Sequence, residues 1–212
     1  MSKMHFKEDF SREGLSILKI IQLIRLFFPH NTRTLARLDK FSDLNLQKIN
    51  KLRDLKIKGL IIDADDCIAF NHGEILPENI QHIKTLHEQN VKMVIYSNMK
   101  KNKRYEAIEE YAKVLTHIFP KPSKKGFKKA LRELDLPAKN VAMVGDNYIT
   151  DGGAIRLKIP FIKINPIGIT KGNIIFGGAL KLYGYLREFY DRISRSHDKL
   201  RKIKPLTSKD LK

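Results

Sequence analysis

At 212 residues with 42% hydrophobic side chains, the chain can bury one sizeable core. Its single cysteine excludes an intramolecular disulfide framework and fits a reducing compartment. The formal charge of +18 favours polyanionic partners, and neither an internal repeat nor a zinc-ligand spacing is present.

In chain order, residues 15–28 read as a mostly apolar helix whose polar residues Ser16, Lys19, Gln22 and Arg25 recur every third position as a narrow stripe. The run is too short and too charged to span a bilayer, but it suits a helix lying in a membrane interface. The alternative is docking on the core or on another subunit. Lys19 and Arg25 argue against a cleaved signal peptide, and Glu8, Asp9 and Glu13 argue against a mitochondrial presequence. Ser42 is placed to cap a helix through Leu52, and Gly59-Leu60-Ile61-Ile62 reads as a buried strand. A helix is expected from Pro77 to His87, with proline at its first position, followed by a strand from Val91 to Tyr96. A further helix is expected from Tyr105 to Leu115, one from Lys124 to Leu134, and strands over Val141–Val144 and Phe161–Ile164, the latter as the last strand. The Gly-rich stretch from Asn165 to Gly178 reads as a mobile loop, residues 180–193 as a final amphipathic helix, and 196–212 as a basic tail.

Chemistry gathers where the apolar runs end. Asp63-Ala64-Asp65-Asp66-Cys67 follows the first strand, Ser97-Asn98 the second, and Gly145-Asp146 the third, with Thr150-Asp151 about one helical turn beyond. In an open parallel sheet these ends converge on one crevice. Carboxylates a few ångströms apart in a partly buried site raise each other's pKa or require a cation, and Mg²⁺ is the usual hard partner of oxygen ligands. Lys121, in Phe119-Pro120-Lys121-Pro122, supplies a cation on a stiff loop. Taken singly, these residues have ordinary readings: an acidic turn, a helix cap at Ser97, a surface lysine, a first-turn charge at Asp151. Independent accidents falling in this order after three strands are a poor account of the set. His72 reads as a solvated loop histidine close to the first motif.

An Asp-x-Asp, then Ser, then Lys, then Gly-Asp-x-x-x-x-Asp resembles the four-motif signature of the haloacid dehalogenase superfamily of phosphohydrolases over residues 56–166. The resemblance implies a three-layer, Rossmann-like α/β fold with a central parallel sheet. It implies Asp63 as a nucleophile forming an aspartyl-phosphate and Asp65 as general acid and then base, its backbone carbonyl also on the metal. Ser97 and Asn98 would meet the phosphoryl group, Lys121 would pair with nucleophile and phosphate, and Asp146 and Asp151 would complete a Mg²⁺ site with Asp63. The run Asp63-Ala64-Asp65-Asp66-Cys67-Ile68-Ala69, with Ile57-Lys58-Gly59 before it and Phe28-Pro29 near the end of the leader, is similar to subfamily IIIA proteins of the YqeG-like and mitochondrial phosphatidylglycerophosphate phosphatase type. Cys67 reads as a small packing residue, since no histidine adjoins it in sequence to activate it.

The intervals from Asp63 to Ser97 and from Ser97 to Lys121 leave no room for a large cap domain. An open site suits a phosphate presented from a large body. The expected organisation is a helical leader over 1–55, a phosphatase core over 56–195 and the tail. The favoured substrate is phosphatidylglycerophosphate on an anionic phospholipid membrane, reached from the cytoplasm at the inner face. A phosphatase of nucleic acid ends or of phosphoproteins, and a non-enzymatic basic adaptor for membrane or RNA, are the competing readings.

Overall fold

The computed structural model describes residues 16–70, 72–99, 103–167, 177–202 and 204–212. Its elements are α1 (Ile17–Arg25), β1 (Ala36–Leu38), α2 (Leu46–Arg53), β2 (Gly59–Ile62), α3 (Pro77–Glu88), β3 (Lys92–Tyr96), β4 (Lys113–Leu115), α4 (Lys124–Leu134), β5 (Val141–Gly145), β6 (Phe161–Ile164), α5 (Gly177–Leu200) and β7 (Leu206–Thr207). The seven strands form one parallel sheet in the order β4-β3-β2-β5-β6-β1-β7. β2, at its centre, is buried along its whole length, which explains a run of four residues with no polar side chain. Two apolar layers cover the sheet. One holds Leu60, Ile62, Ile83 and Leu86 with residues of α2 and α3; the other holds Ile61, Val94, Phe127 and Tyr190 with α1, α4 and α5. This is the expected α/β three-layer architecture, and no large cap interrupts it among the described residues.

Several local expectations change. The segment from Tyr105 to Leu115 is not a helix: a 3₁₀ turn over Lys103–Tyr105 leads through further turns into the edge strand β4. Tyr105, Ile108 and Ala112 have helix-like spacing, but all three are buried under the sheet edge, and pairing with β3 outweighs the local preference. Asn45, not Ser42, caps α2, its side chain accepting from the Lys48 N–H at 3.0 Å. β6 is not the last strand. The expected tail ends in β7 and a 3₁₀ turn closed by a Thr207–Asp210 capping box, with Leu211 buried. The expected leader likewise gives the sheet a strand, because β1 pairs with β6 on one side and β7 on the other. α5 runs beyond the expected helix at both ends. Most of the Gly-rich stretch, residues 168–176, lies outside the described residues.

The docking of α1 is unexpected. Its polar stripe faces inward: Lys19 and Gln22 are buried, and Gln22 Nε2 donates to the Tyr148 carbonyl at 3.3 Å. Leu23 and Leu26 pack beside them, while most of the helix's large apolar side chains point outward. No described helix is long and apolar enough to cross a membrane.

Candidate active site

The C-terminal ends of β2, β3 and β5 meet in the middle of the sheet and bring the predicted residues together. Asp63 leaves β2 with its Oδ1 accepting from the Ala64 N–H at 2.7 Å and lying 2.5 Å from Lys121 Nζ. The same ammonium donates to Asp151 Oδ1 at 2.7 Å, so a single fully buried lysine bridges two buried carboxylates. Asp63, Asp146 and Asp151 each offer one oxygen within 4.8 Å of the others. Gly145 makes room for this: a Cβ there would sit 2.3 Å from Asp151 Oδ2, so only glycine lets the acid fold back on the strand end.

The three acids outnumber the charge supplied to them. Burial and the neighbouring Asp151 push the Asp63 pKa well above the usual carboxylate range despite Lys121. Burial and Asp146 raise Asp151 against the pull of Lys121, and burial raises Asp146 to about 6, although Arg187 opposes it. The Lys121 ammonium is held charged: burial opposes it, but Asp151 and Asp63 prevail and raise its pKa. Arg187, from α5, lies 3.0 Å from both Asp66 Oδ2 and Asp146 Oδ2. The contact to Asp146 is a charge contact without hydrogen-bond alignment, which leaves Asp146 Oδ2 buried with no donor among the described residues. Three convergent hard oxygens, a surplus of negative charge and one unsatisfied carboxylate oxygen fit a divalent cation such as Mg²⁺.

Asp65 stands apart from the triad. Its carboxylate turns toward β3 and meets Arg104 Nη1 at 2.6 Å, Ser97 Oγ at 3.2 Å and His72 Nδ1 at 3.3 Å. Burial opposes ionisation here, but His72 and Arg104 outweigh it and hold the group below its ordinary value, in its proton-accepting form. Ser97 Oγ also accepts from the Met99 N–H at 3.0 Å. Asn98 braces the lysine loop, its Oδ1 accepting from the Lys121 N–H at 2.8 Å. The first-motif loop spends most of its own amides: the Asp66 N–H goes to Ala69 O and the Cys67 N–H to Ala64 O. The sequence suggests backbone N–H groups of Ala64 to Cys67 as a cradle for phosphoryl oxygens; with the Ala64 N–H on Asp63, the Asp65 N–H is the one amide of that stretch with no internal bond among the described residues. Cys67 is fully buried, and burial together with the charge of Asp63 pushes its thiol pKa up; it is a packing residue, as expected.

Sequence reasoning missed Arg104 and Arg187. Arg104 sits in Lys-Asn-Lys-Arg, which reads as solvated charge, yet the side chain is buried against Asp65 and the Tyr105 hydroxyl. Arg187 comes from a helix more than a hundred residues downstream, and no spacing announces it.

A sequence model of the haloacid dehalogenase-like hydrolases matches residues 9–156, which include every acid of this cluster. The chain belongs to that family. The hydrolase is also 26% identical over 126 residues to "Probable phosphatase YqeG" of Bacillus subtilis (strain 168), an alignment that spans 58% of this chain and 73% of the relative. No solved structure matches it significantly.

Proposed function

We propose that this hydrolase is a Mg²⁺-dependent phosphomonoesterase working through an aspartyl-phosphate, with phosphatidylglycerophosphate as favoured substrate and phosphatidylglycerol as product. The observation that carries the reading is the bridge from Lys121 to Asp63 and Asp151 beside Asp146, at strand ends that no large cap covers among the described residues. A carboxylate attacks an anionic phosphate only when positive charge screens the approach. Lys121 supplies part of that charge and fixes Asp63 through Oδ1, leaving Oδ2 for the attack. Asp63, Asp146, Asp151 and the Asp65 carbonyl would hold Mg²⁺, which when bound neutralises the acids and draws charge from the phosphoryl oxygens. Ser97 lies beside Asp65 and offers its hydroxyl to the phosphoryl group. In the resting protein His72 and Arg104 hold Asp65 ionised, so it takes up a proton from solvent as the substrate phosphate binds. It gives that proton to the leaving alcohol and then accepts one from the water that hydrolyses the aspartyl-phosphate, releasing it to solvent as the site resets.

The relative's printed description supports phosphatase activity. Phosphatidylglycerophosphate rests on the Cys67-Ile68-Ala69 run and the uncapped site, and it places the protein peripherally on the inner face of a membrane. The charge of +18 and the same open site favour, as a second reading, a phosphatase of nucleic acid ends or phosphoproteins. A purely adaptor role is disfavoured by three buried acids that cost stability and would then serve nothing.

Phosphate release by the purified chain from phosphatidylglycerophosphate, oligonucleotide and phosphopeptide substrates, with and without Mg²⁺, tests the proposal. Asp63→Asn should lower the lipid activity on the order of 10³-fold. Release from the other substrates alone would overturn the substrate, and full activity of the variant would overturn the mechanism.

A further inference from the structure

We propose that the outer face of α1, together with the basic depression at its end, docks the hydrolase on an anionic phospholipid bilayer. A helix that packs on a core normally turns its apolar side inward, and α1 does the reverse. Ile17, Ile24, Phe27 and Phe28 are 77%, 60%, 54% and 54% exposed, whereas Lys19 and Gln22 are 2% and 0%. The apolar surface continues onto α5, where half-exposed Phe189 lies edge-on to Phe27 at 6.2 Å between ring centroids. An exposed strip of this kind marks an interaction surface.

Charge selects the occupant. At the C-terminal end of α1 a depression is lined by Arg25, Phe28, Lys124 and Arg156 among others, and no acidic residue lines it. Arg25 Nη1 is buried there with no hydrogen-bond partner among the described residues. Burial and the charge of Arg25 both weigh on the Arg156 guanidinium, so these two cations face each other without an anion between them. Aliphatic and aromatic side chains beside a basic depression lined by no described acid match acyl chains beside lipid phosphates. A nucleic acid would match the cations and waste the apolar strip.

The placement couples docking to the site. Gln22 is bonded to the carbonyl of Tyr148, two residues after Asp146, and Lys19 Nζ lies 5.9 Å from the ring centroid of Tyr183, whose hydroxyl accepts from Asn147 Nδ2 at 3.1 Å. The membrane-facing helix is thus fastened to the loop that carries two of the three clustered acids. This deepens the lipid-phosphatase reading and rests on it for its purpose, but binding can be scored without the substrate.

The test is co-sedimentation of the full chain with phosphatidylcholine vesicles, with and without phosphatidylglycerol, alongside hydrolysis of p-nitrophenyl phosphate in solution. The chain should bind the anionic vesicles. Ile17→Asp/Ile24→Asp should weaken that binding on the order of a hundredfold, about tenfold for each side chain kept from the acyl region. Arg156→Glu should weaken it roughly tenfold and abolish the preference for anionic over neutral vesicles. Soluble hydrolysis and circular dichroism should be unchanged in both variants. Absence of vesicle binding by the full chain, or unaltered binding by the double variant, overturns the proposal. So does a dimer of the full chain that the double variant splits, since a second copy would then be the occupant. Vesicle binding without hydrolysis of phosphatidylglycerophosphate would sink the substrate assignment and leave the docking face standing.

Discussion

Two acidic clusters in this molecule have opposite electrostatics. At the strand ends, Asp63, Asp146 and Asp151 share one lysine and the edge of one arginine, and all three carboxyls are pushed up. On α5, Asp191 and Asp198 surround Arg37 at 2.9 Å each and are further met by Arg195 at 2.9 Å and Arg201 at 2.8 Å. Burial opposes ionisation of Asp191, yet Lys163, Arg195 and Arg37 outweigh it and hold the group below its ordinary value. The second cluster has cations to spare and is a structural tie between α5 and β1. The first is short of positive charge, which is the condition for recruiting a metal and an anionic substrate. Lys163, buried on β6, feels Asp146 from one and Asp191 from the other, so the two environments are near neighbours kept distinct by their counter-ions.

The contrast can be broken most severely at Lys121. Lys121→Met leaves Asp63 and Asp151 facing each other, and at neutral pH it should lower stability by about 3–5 kcal/mol while abolishing phosphate release. Chemical denaturation across pH checks this, and the loss should shrink in acid as the two carboxyls take up protons. Asp146→Asn should do the opposite to stability. With its pKa raised from 3.8 to about 6, the folded state binds the proton more tightly than the unfolded chain between those values. The penalty is therefore absent below 3.8 and complete above about 6, so stability from this group falls as pH rises. In metal-free protein the variant should gain up to about 3 kcal/mol at pH 7, with activity lost. A lower melting temperature for Asp146→Asn at neutral pH would show that the cluster is not under-compensated.

Adding Mg²⁺ sharpens the same point. At about a hundred times its dissociation constant it should stabilise the wild type by about 2.7 kcal/mol, seen as a rise in melting temperature that Asp146→Asn removes. The smallest effect belongs to the saturated cluster. Arg37→Met should cost about 2 kcal/mol, because Arg195 and Arg201 still hold the two acids, and it should leave hydrolysis of a soluble phosphate ester intact. A large loss of activity there would dissolve the distinction between the clusters.

Much of the site was legible because each apolar run ends at its chemistry: Ile62 before Asp63, Tyr96 before Ser97, Val144 before Gly145-Asp146. Helices with a strong start were equally readable, Pro77 opening α3; α4 also spans the expected Lys124–Leu134, and the structure adds its cap, Ser123, which accepts from the Lys125 N–H. What failed depended on distant contacts. The interval between Ser97 and Lys121 suggested a helix from Tyr105 to Leu115, but the sheet edge took Lys113–Leu115 as a strand. Arg104 and Arg187 gained their roles only when β3 and α5 brought them to the acids. The stripe on α1 was seen, but the side it would bury was not, since polar residues face a core only when specific partners such as the Tyr148 carbonyl await them.

The position of β1 has a consequence for how the chain is made. Its partners β6 and β7 lie at Phe161–Ile164 and Leu206–Thr207, so Ala36–Leu38 cannot join the sheet until most of the polypeptide has been translated. At ordinary elongation speeds of roughly 5–20 residues per second, a growing chain carries that unpaired segment, with the apolar side of α1 just upstream, for on the order of ten seconds. A nascent chain in this state is a natural client for a ribosome-associated chaperone. Slowing synthesis between β1 and β6 should lower the soluble yield more than slowing it after β7.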